Sequence, residues 1–76
     1  MARTYRFYGL NESGARDLAT ALNEDGMIAS VLHPGVRALA GWVVEADGDE
    51  ERSESLLEML ASFYGGTYEG EDLAGA

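Results

Sequence analysis

The 76-residue chain contains no Cys and no Lys, and only one His and one Pro. Without Cys, neither a disulfide framework nor a thiolate metal site can form. Without Lys, there is no phosphate-binding loop of the Gly-Lys type. No apolar run approaches the ~20 residues that span a bilayer, and Met1–Thr4 leads into strand-like sequence rather than a signal peptide. These absences lead us to expect a cytoplasmic protein that does not enter a membrane.

Residues that carry catalysis or bind metals are equally sparse. His33 precedes Pro34 in a turn, where the sequence suggests no partner that would position it as a general base. The acidic run from Glu45 to Glu51 fails the calcium-loop template, because counting Glu45 as the first ligand places Glu50 where that template requires Gly. We therefore predict a protein that is not an enzyme and that binds no metal or other cofactor.

Acidic residues dominate only the second half of the chain. Residues 1–38 hold four acids and four Arg, whereas residues 39–76 hold ten acids and one Arg, so the net charge of −9 arises in the second half. Such a field repels nucleic acid and attracts a basic partner surface. The same acids also suit a solvated surface that keeps a small domain in solution. Both interpretations stay open on composition alone.

Hydrophobic patterning predicts three strands and a short fourth one. The stretch Ala38–Ala46 contains the only Trp and predicts a central strand with Trp42 on its helix-facing side. A first strand is predicted over Thr4–Tyr8. A second is predicted over Met27–Leu32, with Ala29 and Val31 toward the helices and Ile28 and Leu32 opposite, although a shift of one residue would exchange these faces. A Pro-Gly turn joins it to the central strand.

Two helices are predicted between these strands. The first has Asn11 as its N-cap and ends at Gly26, and the second has Asp49 as its N-cap and ends at Gly65-Gly66. Each carries an apolar stripe at i, i+3, i+4, i+7 spacing, which is typical of a helix with one buried face. The predicted stripes are Ala15, Leu18, Ala19 and Leu22 in the first helix, and Leu56, Met59, Leu60 and Phe63 in the second.

The order β, α, β, β, α, β predicts a ferredoxin-like α+β sandwich. Two interleaved β-α-β units with right-handed crossovers give a four-stranded antiparallel sheet with both helices on one face. Thr67–Glu69 is predicted to be only an edge strand, and residues 71–76 a frayed tail. Seventy-six residues leave no room for a second core, so residues 1–76 are predicted to be a single domain.

Because both helices cover one face of the predicted sheet, its other face is open. RNA-recognition domains of this architecture stack bases there, but they carry a basic-Gly-aromatic motif that this chain lacks. An apolar open face more often serves dimerisation or contact with another protein. The candidate residues for such a contact, in a homodimer or with a partner, are Arg6, Tyr8, Leu39 and Val43.

The segment Leu60–Glu71 resembles the family of the regulator of ribonuclease E activity B, in which a helix ends in Gly-Gly and is followed by a Tyr, an acid and a Gly. The matching residues are Gly65, Gly66, Tyr68, Glu69 and Gly70.

Three further stretches are similar to that family in order and spacing, namely Tyr5–Tyr8, Gly26 and Gly41–Val44. The chain departs from the family at Glu71, where the family usually has Trp. The resemblance implies a ferredoxin-like fold and no catalysis. It also implies that the chain binds an endoribonuclease and restrains the activity of that enzyme.

The leading hypothesis is therefore an acidic regulator that binds a basic protein. Glu51, Glu54 and Glu58 would pair with Arg or Lys of the partner. Tyr68 would supply an aromatic anchor beside Glu69. The alternative for Tyr68 is an edge-strand residue that packs on Phe63.

Two alternatives stay open. One is a small-molecule sensor of the amino-acid-binding ferredoxin-like kind, with Gly9–Gly14 as the receiving loop. The other is an acidic decoy that occupies the nucleic-acid-binding site of another protein.

Overall fold

The computed structural model describes residues 3–35, 40–49 and 51–73. The strands form one antiparallel sheet in the order β2-β3-β1-β4, so β3 and β1 are central. This confirms the ferredoxin-like α+β sandwich. The elements are β1 (Arg3–Leu10), α1 (Glu12–Glu24), β2 (Ile28–Leu32), β3 (Trp42–Gly48), α2 (Glu54–Phe63) and β4 (Thr67–Leu73). Neither α1 nor α2 is long enough and apolar enough to cross a bilayer.

The hydrophobic core lies between the sheet and the helices. Tyr5 and Phe7 of β1 are fully buried and lie beside Ala46 and Val44 of β3 in the antiparallel register. Trp42 packs against the same cluster, which confirms the predicted helix-facing side of the central strand. The predicted stripe of α1 is confirmed in full, since its four residues are buried.

Local signals at the ends of α1 also act as predicted. The side-chain oxygen of Asn11 accepts a hydrogen bond from the Gly14 N–H at 2.6 Å, which satisfies a donor that the first turn of the helix leaves free. Gly26 follows the helix with a φ of +90°, a conformation that favours glycine. In β2, Ala29 and Val31 pack on the core, whereas Ile28 is 73% exposed.

The central strand is shorter than predicted. β3 begins at Trp42, and Ala40 and Gly41 precede it outside any strand, while Ala38 lies outside the described residues. The Gly9 N–H donates to the Ala40 carbonyl at 2.7 Å, and Gly41 has a φ of +67°. A Cβ on Gly41 would lie 3.1 Å from the Gly9 Cα, so the chain enters the strand through a close backbone approach.

The prediction that Asp49 caps the second helix is wrong. α2 begins at Glu54 with Ser53 in the N-cap position, and no side-chain hydrogen bond caps it. Arg52, which precedes Ser53, instead contacts β1 and the end of α1. Its backbone N–H donates to the Tyr5 hydroxyl at 3.2 Å, and its guanidinium pairs with the Asp25 carboxylate at the end of α1. These contacts fix where the chain can turn into a helix.

The last strand is longer than predicted. β4 runs over Thr67–Leu73, so residues 71–73 belong to the sheet rather than to a tail, while residues 74–76 lie outside the described part of the chain. β1 supplies the reason, because its full length offers pairing partners from Tyr8 back to Arg3. β4 is nevertheless an edge strand, as predicted.

Candidate protein-binding surface

α2 turns a different side toward the core than its sequence indicated. Leu57 and Ala61 are buried, and Leu60 and Tyr64 pack partly against the core. The predicted buried stripe is therefore wrong at three of its four positions. Leu56, Met59 and Phe63 are 57%, 70% and 80% exposed.

Close backbone contacts fix this rotation of the helix. A Cβ on Gly14 of α1 would lie 2.6 Å from the Tyr64 carbonyl oxygen, so the two chain segments meet without room for a side chain. A Cβ on Gly66 would lie 2.6 Å from a methyl carbon of buried Leu10. Ala61 also adds little bulk between α2 and the sheet. The helix therefore ends against α1 and β1 with Leu57 and Ala61 underneath.

The exposed apolar side chains form a ridge along the outside of α2. They occur at i, i+3 and i+7, so they follow one another over about two turns, or roughly 10 Å at 1.5 Å per residue. Met59 and Phe63 also line a shallow depression with Ser55, Glu58 and Ser62. We call these residues together the α2 surface: Ser55, Leu56, Glu58, Met59, Ser62 and Phe63.

Of the three acids predicted to bind a partner, Glu58 lines this depression. Glu54 and Glu58 occupy successive turns of α2, and Glu51 precedes the helix. All three are exposed. Within the described ranges, no Arg lies within ion-pair distance of any of the three. Arg side chains do pair with acids elsewhere, as Arg6 does with Glu45 and Glu69, Arg16 with Glu12, and Arg52 with Asp25.

Tyr68 does not join this surface. Its side chain is half-buried on the core side of β4, with its ring centroid 5.2 Å from that of Phe7 and 6.5 Å from that of Tyr5. The ring of Phe63 instead meets Tyr64 edge-on at 5.0 Å. The position of Tyr68 therefore supports a role in packing, although not the contact with Phe63 that the sequence suggested.

Glu69 lies on the opposite side of the sheet from α2. Its carboxylate is 3.4 Å from the Arg6 guanidinium, which also pairs with Glu45 at 2.6 Å, so one cation joins three strands. A register shift between β1 and β4 at this point and a φ of +142° at Gly70 accompany this arrangement. The structure thus brings Glu54 and Glu58 together but places Tyr68 and Glu69 elsewhere.

The open face of the sheet is more polar than predicted. Arg6 lies there within its ion pairs, and the Thr4 hydroxyl donates to the Asp47 carboxylate at 2.6 Å. Val43 has 0% of its surface exposed, so it offers nothing to a partner, and Tyr8 is only partly exposed. Leu39 lies outside the described residues.

The proposed receiving loop at Gly9–Gly14 is filled by its own neighbours at its Gly14 end. The Asn11 side chain occupies the Gly14 N–H, and the Tyr64 carbonyl fills the space beside the Gly14 Cα. Across residues 3–35, 40–49 and 51–73, no group of three or more His, Asp or Glu is arranged to hold a metal ion.

Sequence reasoning missed the exposure of Leu56, Met59 and Phe63. One signal was present, because six of the ten residues of α2 are apolar in ESLLEMLASF. A helix lying on one side of a small sheet buries only one stripe. A surplus of this size therefore indicates an apolar surface facing outward.

Folding constraints account for the segment that carried the family resemblance. Gly65 ends α2 with a φ of +85°, Gly66 has no room for a side chain, Tyr68 packs on the core, and Glu69 pairs with Arg6. No family model matches the chain, and neither a curated protein nor a solved structure is significantly similar to it. The likeness to the regulator of ribonuclease E activity B therefore stays an expectation from the sequence.

Proposed function

We propose that this chain is a non-catalytic protein-binding module that engages a basic partner through the α2 surface. The observation that supports this most directly is the exposure of Leu56, Met59 and Phe63 along one side of a single helix. Single exposed apolar residues are ordinary, but apolar groups concentrated in one patch and rimmed by polar residues mark interaction sites.

The chemistry of the surface suits a contact with a protein. Aromatic residues and Met are enriched at the centres of interfaces, and covering a large apolar side chain contributes about 1.5 to 3 kcal/mol. Glu58 lines the depression beside Met59 and Phe63, and Glu54 lies one turn before it on the same helix. Both acids would speed association with a cationic surface. The net charge of −9 acts in the same direction at longer range.

A module of this kind regulates by occupying a basic segment of its partner. Where that segment also contacts RNA, binding restrains the partner, which is the action on an endoribonuclease that the sequence resemblance implies. The acidic surface supports a basic partner of this class, which affinity capture would identify.

Affinity capture from cell extract tests the proposal. The immobilised chain is compared with Met59→Ser/Phe63→Ser, Glu54→Gln/Glu58→Gln and the control Ile28→Ser. Ile28 is 73% exposed, close to the 70% of Met59, but it lies at the far edge of the sheet, in β2. We expect the wild type and the control to retain a basic protein at ~0.05 M salt and release it at ~0.5 M, where charges are screened within a few ångströms.

Both α2 variants should retain at least tenfold less of that protein. Retention of no basic protein by the wild type, or equal retention by all four chains, would refute the proposed function.

A further inference from the structure

We infer that the partner presents a basic amphipathic α-helix, which packs lengthwise along α2. Its apolar stripe would cover Leu56, Met59 and Phe63, and its Arg or Lys side chains would lie beside Glu58, which lines the depression with Met59 and Phe63. This inference rests on the proposed function and adds to it the form of the bound segment.

The shape of the α2 surface favours a helix over other bound segments. Its apolar side chains form a ridge without enclosing walls, and the ridges of one helix fit the grooves of another, in one common class at a crossing angle of only about 20°. Ser55 and Ser62 line the depression beside Met59 and Phe63, and their small side chains leave space for a partner's side chains. An added strand would instead need the backbone of a sheet edge, which α2 does not offer.

The charge around the ridge defines the sign of the partner. Glu58 lines the depression on α2. Phe63 contacts Tyr64, which lines a neighbouring groove along α1 together with Asp17 and Glu24. The residues that line these two depressions include three acids and no Arg. Cationic side chains on the bound helix therefore find acceptors beyond α2 itself.

The same charges argue against two other occupants. A second copy of the chain would bring a net charge of −9 to a surface of the same sign and place Glu58 near its own counterpart. Anionic lipid headgroups would likewise be repelled. A basic helix gains from the apolar contact and from the charges together.

Titration with synthetic peptides tests the inference. The first set consists of peptides of about 18 residues, or five helical turns, with Leu at i, i+3, i+4 and i+7 and with Arg positions varied around the helix. A second set has the same composition with Leu and Arg alternating as in a strand. A third replaces Arg by Glu. We expect only the first set to bind, to become helical by circular dichroism, and to shift the amide NMR signals of residues 55–63.

Matched variants separate the apolar and the charged contributions. Met59→Ser/Phe63→Ser and Glu54→Arg/Glu58→Arg should each weaken the best peptide at least tenfold. Ile28→Ser and Asp47→Arg should change its affinity less than twofold, since both lie away from α2. Asp47 accepts a hydrogen bond from Thr4 on the open face of the sheet. Asp47→Arg therefore makes the same acid-to-Arg change as each α2 substitution, but on the side of the sheet away from α2.

The outcomes distinguish this inference from the function on which it rests. Equal affinity for the first and second sets would overturn the helix while leaving an acidic binding module in place. Binding by no peptide, when extract capture still depends on Met59 and Phe63, would have the same consequence. Loss of the capture as well would refute both. A dimer in analytical ultracentrifugation that Met59→Ser/Phe63→Ser abolishes would show that a second copy occupies the surface and would overturn the inference.

Discussion

Replacing Leu57 by Ala tests which side of α2 faces the core. Leu57 is 3% exposed and belongs to the main hydrophobic cluster. The substitution removes three carbons, worth about 0.8 kcal/mol each, and leaves a cavity that adds to the loss. We therefore expect the free energy of unfolding to fall by about 2 to 4 kcal/mol. A domain of this size has about 4 to 11 kcal/mol in total, so the effect is large.

Phe63→Ala is the matched comparison on the same helix. Phe63 is 80% exposed, so its removal uncovers almost no core. Ala is also a better helix former than Phe by roughly 0.5 kcal/mol, which offsets the small loss of contact with Tyr64. We expect a change in unfolding free energy within about 0.5 kcal/mol. The buried stripe predicted from the sequence would instead give a loss of about 3 to 5 kcal/mol at this position.

Urea unfolding followed by far-UV circular dichroism and by Trp42 fluorescence measures both variants. Trp42 is the only Trp and packs on the core, so its emission reports loss of tertiary structure. For Leu57→Ala the melting temperature should also fall by roughly 10 to 30 °C, since 1 kcal/mol corresponds to about 4 to 8 °C in a small domain. A larger loss from Phe63→Ala than from Leu57→Ala would refute the rotation of α2 and, with it, the α2 surface.

Three further contacts are tested by substitution, each with the same unfolding measurements. Gly66→Ala places a methyl group 2.6 Å from a Leu10 carbon and should lower the free energy of unfolding by about 2 to 3 kcal/mol. Gly65→Ala should lower it by about 1 to 2 kcal/mol, because there the strain comes from the backbone conformation. A larger loss from Gly65→Ala would contradict the close contact between Gly66 and Leu10. Arg6→Met leaves Glu45 without this cation and should lower the free energy of unfolding by about 1.5 to 3 kcal/mol. An unchanged free energy of unfolding would contradict this expectation. Asn11→Ala should cost about 1 kcal/mol by removing the cap, whereas Asn11→Gly should cost only a few tenths.

The sequence was sufficient to predict the order of the strands and the buried sides of β1 and α1, because each of those patterns allows one solution. In α1 the apolar residues occupy a single stripe, and Asp17, Thr20 and Glu24 occupy the opposite side. In β1 the alternation of Tyr5 and Phe7 with Arg6 leaves no choice of buried face. Order and crossover handedness then limit the topology to the observed one.

The rotation of α2 was not predictable in this way. Leu57, Leu60, Ala61 and Tyr64 have the same i, i+3, i+4, i+7 spacing as the predicted stripe, and the prediction chose the bulkier set. The choice between the two depends on where Gly14 meets Tyr64 and where Gly66 meets Leu10. Those contacts join residues far apart in sequence, so no local pattern contains them.

The placement of Tyr68 and Glu69 depends on sheet register for the same reason. Arg6 pairs with Gly70 and Phe7 with Tyr68, so β4 contains one more residue than β1 at this point. The shift leaves Tyr68 on the core and Glu69 beside Arg6. The sequence interpretation placed Tyr68 and Glu69 in one binding motif, but successive side chains of a strand lie on opposite faces of the sheet.

Salt should affect the fold and the proposed complex in opposite directions. The chain carries a net charge of −9 within a body of 29 × 23 × 19 Å, so its exposed acids repel one another at low salt. The screening length falls from about 30 Å at 0.01 M to about 8 Å at 0.15 M, which weakens that repulsion, while the partly buried Arg6–Glu45 pair is screened less.

Raising NaCl from ~0.01 to ~0.5 M should therefore raise the melting temperature of the free chain and lower its affinity for a basic helix at least tenfold. Glu54→Gln/Glu58→Gln should reduce both responses, because it removes two of the repelling acids and the partner's contact with Glu58. A melting temperature that falls with NaCl would mean that internal ion pairs outweigh the net repulsion. The negative charge of the α2 acids would then be balanced within the chain, and it would not raise the affinity for a cationic partner.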